Sequence, residues 1–153
     1  MYKTILLGCL FSSLAWATPD AELKKLMLTH INTTNEENLS GVLATMDSSC
    51  PDYPQQSALL PNLFEQFDLK YTLEEFQVLT QSEQEATIGF TLCTEKLDGP
   101  IYRNNRIQQM VKVNKTEQGW KLCSGKIMMI QYLDIEHTLF EKSGPKKCQP
   151  SIQ

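Results

Sequence analysis

Beyond its first 17 residues, the 153-residue chain has no apolar run near the roughly 20 residues of a membrane-spanning helix. Cationic side chains are also short in number. With 14 Lys and Arg against 18 Asp and Glu the net charge is −4, and there is no basic face for nucleic acid. Histidine occurs only twice, and no CxxC or Cys/His spacing points to zinc. No Ser/His/Asp order, Gly-rich phosphate loop or carboxylate pair stands above chance. These absences leave no metal or cofactor implied. With no internal repeat or low-complexity segment either, length and composition describe one domain.

What is present begins with an export signal. Lys3 supplies the positive charge, Ile5 to Leu14 the apolar core, and Ala15-Trp16-Ala17 a small-x-small cleavage site. Cleavage after Ala17 would start the mature chain at Thr18, secreted or periplasmic. Leu6-Leu7-Gly8-Cys9 resembles a lipoprotein box, but only about five apolar residues precede it, where a signal core needs about 7–15. The organisation expected is a signal over 1–17, a folded domain over 18–134 and a tail over 135–153.

The stretch Glu85 to Leu133 carries three runs with the two-residue period of half-buried strands. Ala86, Ile88, Phe90 and Leu92 share a face in the first run. Ile107, Val111 and Val113 do so in the second, with Gln109 among them, and Trp120, Leu122, Met128, Ile130 and Tyr132 in the third. Asp98-Gly99-Pro100 and Asn114 to Gly119 supply the turns. Centring the first turn on Gly99 and Pro100 pairs Leu92 with Ile107 and Ile88 with Val111. Centring the second on Glu117 and Gln118 pairs Val113 with Leu122, Val111 with Ser124, Gln109 with Lys126 and Ile107 with Met128. Both registers put the apolar sets on one concave face, and a slip of one residue would undo that. A fourth strand, Tyr71 to Thr80, precedes them with Phe76 and Val78 inward.

Removal of the signal takes Cys9 and leaves Cys50, Cys93, Cys123 and Cys148, an even number suited to an oxidising compartment. Cys93 and Cys123 share the outer face of the meander, two strands and about six residues apart. That is roughly 20 Å at 3.3 Å per residue, beyond the about 7 Å a disulfide can bridge. The tail leaves the third strand near the Cys93 end, which favours Cys93–Cys148 and, by elimination, Cys50–Cys123. Unpaired thiols are the alternative.

Helices come first in the mature chain. Pro19 and Asp20 suit a helix start, and Leu23, Leu26, Met27 and Ile31 keep helical spacing. Asn32 to Asn35 is expected to interrupt it, with Asn35 capping a second helix striped by Leu39, Val42, Leu43 and Met46. After a loop over Asp47 to Pro54, a short helix from Gln55 to Phe67 contains Pro61, which should kink it. Helices followed by an antiparallel meander define an α+β domain, with the N-terminal helices packed on a curved sheet.

That order, ending in Glu117-Gln118-Gly119-Trp120-Lys121-Leu122 and Ile130-Gln131-Tyr132-Leu133, resembles the nuclear transport factor 2-like superfamily, in particular its secreted, SnoaL-like bacterial members. The resemblance covers about Asp20 to Asp134 and implies a cystatin-like cone. It departs from the family at Ser48 to Ser57, too short and Pro-rich for the small hairpin many members place there, and in the added tail. The superfamily holds isomerases, dehydratases and cyclases beside non-catalytic binding and assembly domains, so it implies a fold more than a chemistry.

Two function classes follow. The first is an exported, non-catalytic domain that binds a small apolar ligand or self-associates in the cell envelope. The second is an isomerase- or dehydratase-type enzyme using a pocket acid with a Tyr or His. Asp47 and Asp52 could serve as a general base if desolvated, but loop and capping roles are the ordinary use of such acids. His30 sits late on the first helix beside its stripe, a boundary position, and His137 lies in the tail. Because no titratable group declares a catalytic position, the first class is preferred. Three sequons, beginning at Asn32, Asn38 and Asn114, matter only in a eukaryotic host.

The pocket expected is walled by Phe90, Trp120, Met128 and Tyr132, with Gln109 and Ser124 as polar groups meeting a ligand. Lys126 shares their parity, and a bulge at Ser124-Gly125-Lys126 would turn it out to solvent. On the outer face Met110, Ile127 and Met129 form an apolar group through which a homodimer could close.

Overall fold

The computed structural model describes residues 19–133 and 147–150. The expected export signal with its cleavage site, the resemblance to a lipoprotein box, His137 and most of the tail lie outside the described residues.

Three helices, α1 (Pro19–Asn35), α2 (Leu39–Ala44) and α3 (Tyr53–Gln66), precede four antiparallel strands. The strands are β1 (Asp68–Gln81), β2 (Glu85–Asp98), β3 (Asn105–Thr116) and β4 (Gly119–Tyr132), in the order β1-β2-β3-β4. Helix α1 lays Leu23, Met27 and Ile31, spaced four apart, onto the sheet face made by Leu73, Ala86, Ile88, Phe90, Val111, Val113, Trp120 and Leu122. Burying each such side chain stabilises the fold by about 1.5–3 kcal/mol.

Helix α1 does not break at Asn32. It runs to Asn35 and closes on a left-handed Glu37 (φ 52°), with Asn38 N–H donating to Thr33 O at 2.9 Å and Glu37 N–H to Thr34 O at 3.0 Å. That is the reciprocal carbonyl capping of a Schellman ending. The cap of α2 is therefore Asn38, whose Oδ1 accepts from Gly41 N–H at 3.0 Å. Asn35 is used instead as a splint to β1: its Nδ2 donates to Tyr71 O at 2.9 Å, and its Oδ1 accepts from Tyr71 N–H at 2.7 Å. Pro61 sits inside α3.

The β2–β3 register is the one derived above, with Leu92 opposite Ile107 and Ile88 opposite Val111. The β3–β4 register holds only beside the turn, where Val113 meets Leu122. Two irregularities then intervene. Lys112 meets Ser124, Gln109 meets Ile127 and Ile107 meets Ile130, so Cys123 and Met128 are the extra residues. Each extra residue inverts side-chain parity beyond it. Three expected pairs, Val111 with Ser124, Gln109 with Lys126 and Ile107 with Met128, are thereby corrected. Gly125 now stands opposite Val111, and Lys126 pairs with Met110 and is exposed. Ile127 shifts to the parity of Gln109 rather than that of Met110.

The chain leaving α2 adds to the free edge of β4. Leu122 N–H donates to Thr45 O at 2.9 Å, and Asp47 N–H donates to Leu122 O at 2.8 Å, a short parallel bridge of Met46 with Leu122. This brings Cys50 to Cys123, bonded with Cα atoms 5.3 Å apart. Cys93 is bonded to Cys148, with Cα atoms 5.5 Å apart. The tail residues around Cys148 thus dock on the outer face. Arg106 Nη2 donates to Lys147 O at 2.7 Å, and Glu74 Oε1 accepts from Gln149 N–H at 2.9 Å.

Candidate functional site

A cavity of about 250 Å³ lies between the helices and the inner face of the sheet. Met27, His30, Ile31 and Thr34 of α1 form one side, and Gln56, Leu60 and Leu63 of α3 another. Met46, Tyr71, Phe90, Leu92, Gln109, Val111 and the bulged run Leu122 to Gly125 complete it. The bulge at Cys123 makes the site: it turns Cys123 toward Cys50, and sets Gly125 where a larger residue would fill the space.

Of the six residues expected in the pocket, Phe90, Gln109 and Ser124 line this cavity. Trp120 does not. It is buried in the core, donating from Nε1 to Glu22 Oε2 at 3.2 Å, with the Lys115 ammonium 4.9 Å from its ring centre. Met128 is carried by the parity change to a groove on the outer face, beside Met110 and Gln108. Tyr132 is partly exposed near the end of β4 under the guanidinium of Arg103, 4.1 Å from the ring centre.

His30, half-buried at the boundary position expected of it, is the cavity residue that was not singled out from the sequence. Its Nδ1 lies 2.7 Å from Thr45 Oγ1, and the ring lines the cavity. Burial pushes its pKa from 6.5 down to about 4, so the ring is neutral at physiological pH. The signal was helical spacing: positions 27, 30, 31 and 34 are one face of α1. Tyr71, across the cavity, is raised to about 12 by burial and by Tyr102. Neither candidate acid lines the cavity. Asp47 Oδ2 accepts from Asn114 Nδ2 at 2.9 Å and Oδ1 from Ser49 Oγ at 2.7 Å, bonds that hold its carboxyl below the usual range. Asp52 precedes α3 without a side-chain cap bond. No Asp or Glu is among the described residues that line the cavity. Glu74 with Cys93 and Cys148 is the one described cluster of metal-ligand type, and its sulfurs are spent on each other.

A pH dependence follows. In the unfolded chain His30 protonates near 6.5, in the folded chain only near 4. Its contribution to stability is therefore complete above pH 6.5 and lost as pH falls toward 4, by about 3 kcal/mol in total at 1.36 kcal/mol per unit. Urea unfolding of wild type and His30→Gln should show their stability difference shifting by that amount between pH 7 and pH 4. Parallel profiles would mean that the folded ring takes up its proton as readily as the unfolded one.

With helices over one face of a four-stranded antiparallel sheet, the fold is nuclear transport factor 2-like. Among solved structures, a Novosphingobium aromaticivorans protein to which aromatic ring hydroxylase activity is ascribed superposes with a TM-score of 0.61. Its identity is 15%, over 74% of this chain and 92% of that one. A Pseudomonas putida NTF2-like protein of unknown function gives a TM-score of 0.59 and 9% identity, over 69% and 82%. More particularly, residues 25–133 match the family model of the anti-sigma-I factor RsgI9 C-terminal domain, and the chain belongs to that family. Anti-sigma-I factor RsgI9 of Acetivibrio thermocellus is 32% identical over 60 residues. That match takes in 39% of this chain and 8% of that protein, so the chain corresponds to a small part of its relative.

Proposed function

We propose that the chain is an exported, non-catalytic module whose cavity takes up a small, largely apolar molecule. The carrying observation is the lining: mostly apolar walls, interrupted by His30, Thr34, Gln56, Tyr71, Gln109 and Ser124 and by no carboxylate. Such a composition, mostly apolar with a few placed polar groups, is that of a ligand site. Isomerase or dehydratase chemistry with a pocket acid has no acid to draw on among these residues. Two disulfides accord with an oxidising compartment and hence with export. The family describes the C-terminal domain of an anti-sigma-I factor, and we carry over from it only the role of a module within a regulatory protein. Exposed Met110, Met128 and Met129 on the outer face favour a second reading, self-association through that face.

Native mass spectrometry of the oxidised protein tests both. The expected spectrum contains a small-molecule adduct that disappears in Gly125→Leu. A Cβ there meets only Val111 Cγ2 at 3.5 Å and Gln109 Oε1 at 3.9 Å, so the backbone accepts a side chain that fills the cavity. An adduct that survives this substitution sinks the cavity reading. A dimer converted to monomer by Met129→Lys supports the second reading, and a monomer in both proteins removes it.

A further inference from the structure

The hydrogen bonds around His30 determine which proton its ring carries. Thr45 Oγ1 lies 2.6 Å from Val42 O and 2.7 Å from His30 Nδ1. A hydroxyl has one proton and a carbonyl can only accept, so that proton lies toward Val42. Nδ1 must then be the donor to Thr45, and a neutral ring is left with a bare lone pair on Nε2. The ring lines the cavity, and no donor among the described residues meets Nε2. The neighbouring Thr34 hydroxyl is occupied, donating to His30 O at 2.7 Å.

Resting on the binding reading above, we propose that His30 Nε2 is the specificity point of the cavity, accepting the proton of a hydroxyl group on an otherwise apolar ligand, of the phenol or alcohol class. A carboxylate head would present acceptors to an acceptor, and no Lys or Arg is among the described lining residues to balance its charge. A volume of about 250 Å³ lies just below the roughly 300 Å³ lower end of drug-sized pockets, so the ligand is about the size of two fused rings.

Titration calorimetry of the oxidised protein with 2-naphthol, 2-methoxynaphthalene and 2-naphthoate separates the possibilities. The expected result is 2-naphthol bound at least about tenfold more tightly than the methyl ether, the scale of one hydrogen bond, with naphthoate weaker still. His30→Leu should erase the preference while keeping affinity for the ether. Equal affinity of wild type for naphthol and ether overturns this assignment and leaves the cavity reading standing, as does a preference that survives His30→Leu. Failure of all three probes to bind overturns both. Nitrogen-15 NMR of wild type supplies a readout that needs no variant. A bare Nε2 whose resonance moves on adding 2-naphthol supports the assignment, and an Nε2 already protonated in the free protein overturns it.

Discussion

Replacing Cys50 and Cys123 together by serine is expected to lower the unfolding free energy by about 4 kcal/mol, in chain-entropy terms. The bond spans 73 residues of sequence, so its loss restores a large loop's freedom to the unfolded chain. A native-state cost adds to this. The segment from Thr45 to Cys50 lies along the edge of β4 through only two backbone hydrogen bonds with Leu122, and Cys123 is part of the cavity wall. The variant should therefore unfold at lower urea and lose affinity for a cavity ligand at the same time. Urea titration under oxidising conditions measures the first effect, and a change below about 1 kcal/mol would show that the bridge merely decorates a fold held by other means.

Arg106→Leu is expected to cost about 3–5 kcal/mol, far more than loss of an ordinary surface ion pair. Arg106 and Glu74 are joined by two hydrogen bonds, at 2.6 and 3.1 Å, with side chains only 10% and 11% exposed. Removing the guanidinium leaves the Glu74 carboxylate buried with Gln149 N–H as its remaining donor among the residues named here, and frees Lys147 O as well. The double variant Glu74→Met/Arg106→Leu should recover much of that loss, since the penalty lies in the stranded charge rather than in the missing attraction. Thermal unfolding of the two singles and the double measures it. Additive losses would contradict this account. For contrast, Lys112 and Glu85 also approach to 2.6 Å, but with side chains 45% and 59% exposed, and their separation should be nearly silent.

The β2–β3 pairing was legible because Gly99, at φ 106°, and Pro100 leave little choice of turn centre, and the alternation of Ala86 to Leu92 matches that of Ile107 to Val113. β4 was legible only as far as Leu122. A period-two reading assumes an unbroken ladder, and the apolar run Ile127 to Ile130 supplies greasy residues to either face, so it cannot reveal where parity inverts. Gly125 hinted at an irregularity, but the extra residues are Cys123 and Met128. Phe90 and Gln109 were placed at the cavity from strands that pair as read, Ser124 lines it although the bulge changes its partner to Lys112, and Met128 was put on the wrong side. Asn35 misled for a different reason. Asn is a good cap by propensity, yet here a tertiary partnership with the Tyr71 backbone claims its side chain. His30 was visible in the spacing of α1, but its importance depends on Thr45, fifteen residues away, which no local pattern places.

The order of the bonded cysteines along the chain, 50, 93, 123 and 148, makes the two covalent rings overlap between Cys93 and Cys123. Any peptide bond from Cys50 to Cys148 lies within at least one ring. A protease that nicks the chain once in that interval, at the exposed turn around Gly99 for example, therefore frees no fragment while the sulfurs stay oxidised. The cut chain keeps all its residues and gains only one water, and the strands keep their neighbours within reach. Under oxidising conditions single cleavages would become scars rather than deaths, and only a reductant would turn them into losses.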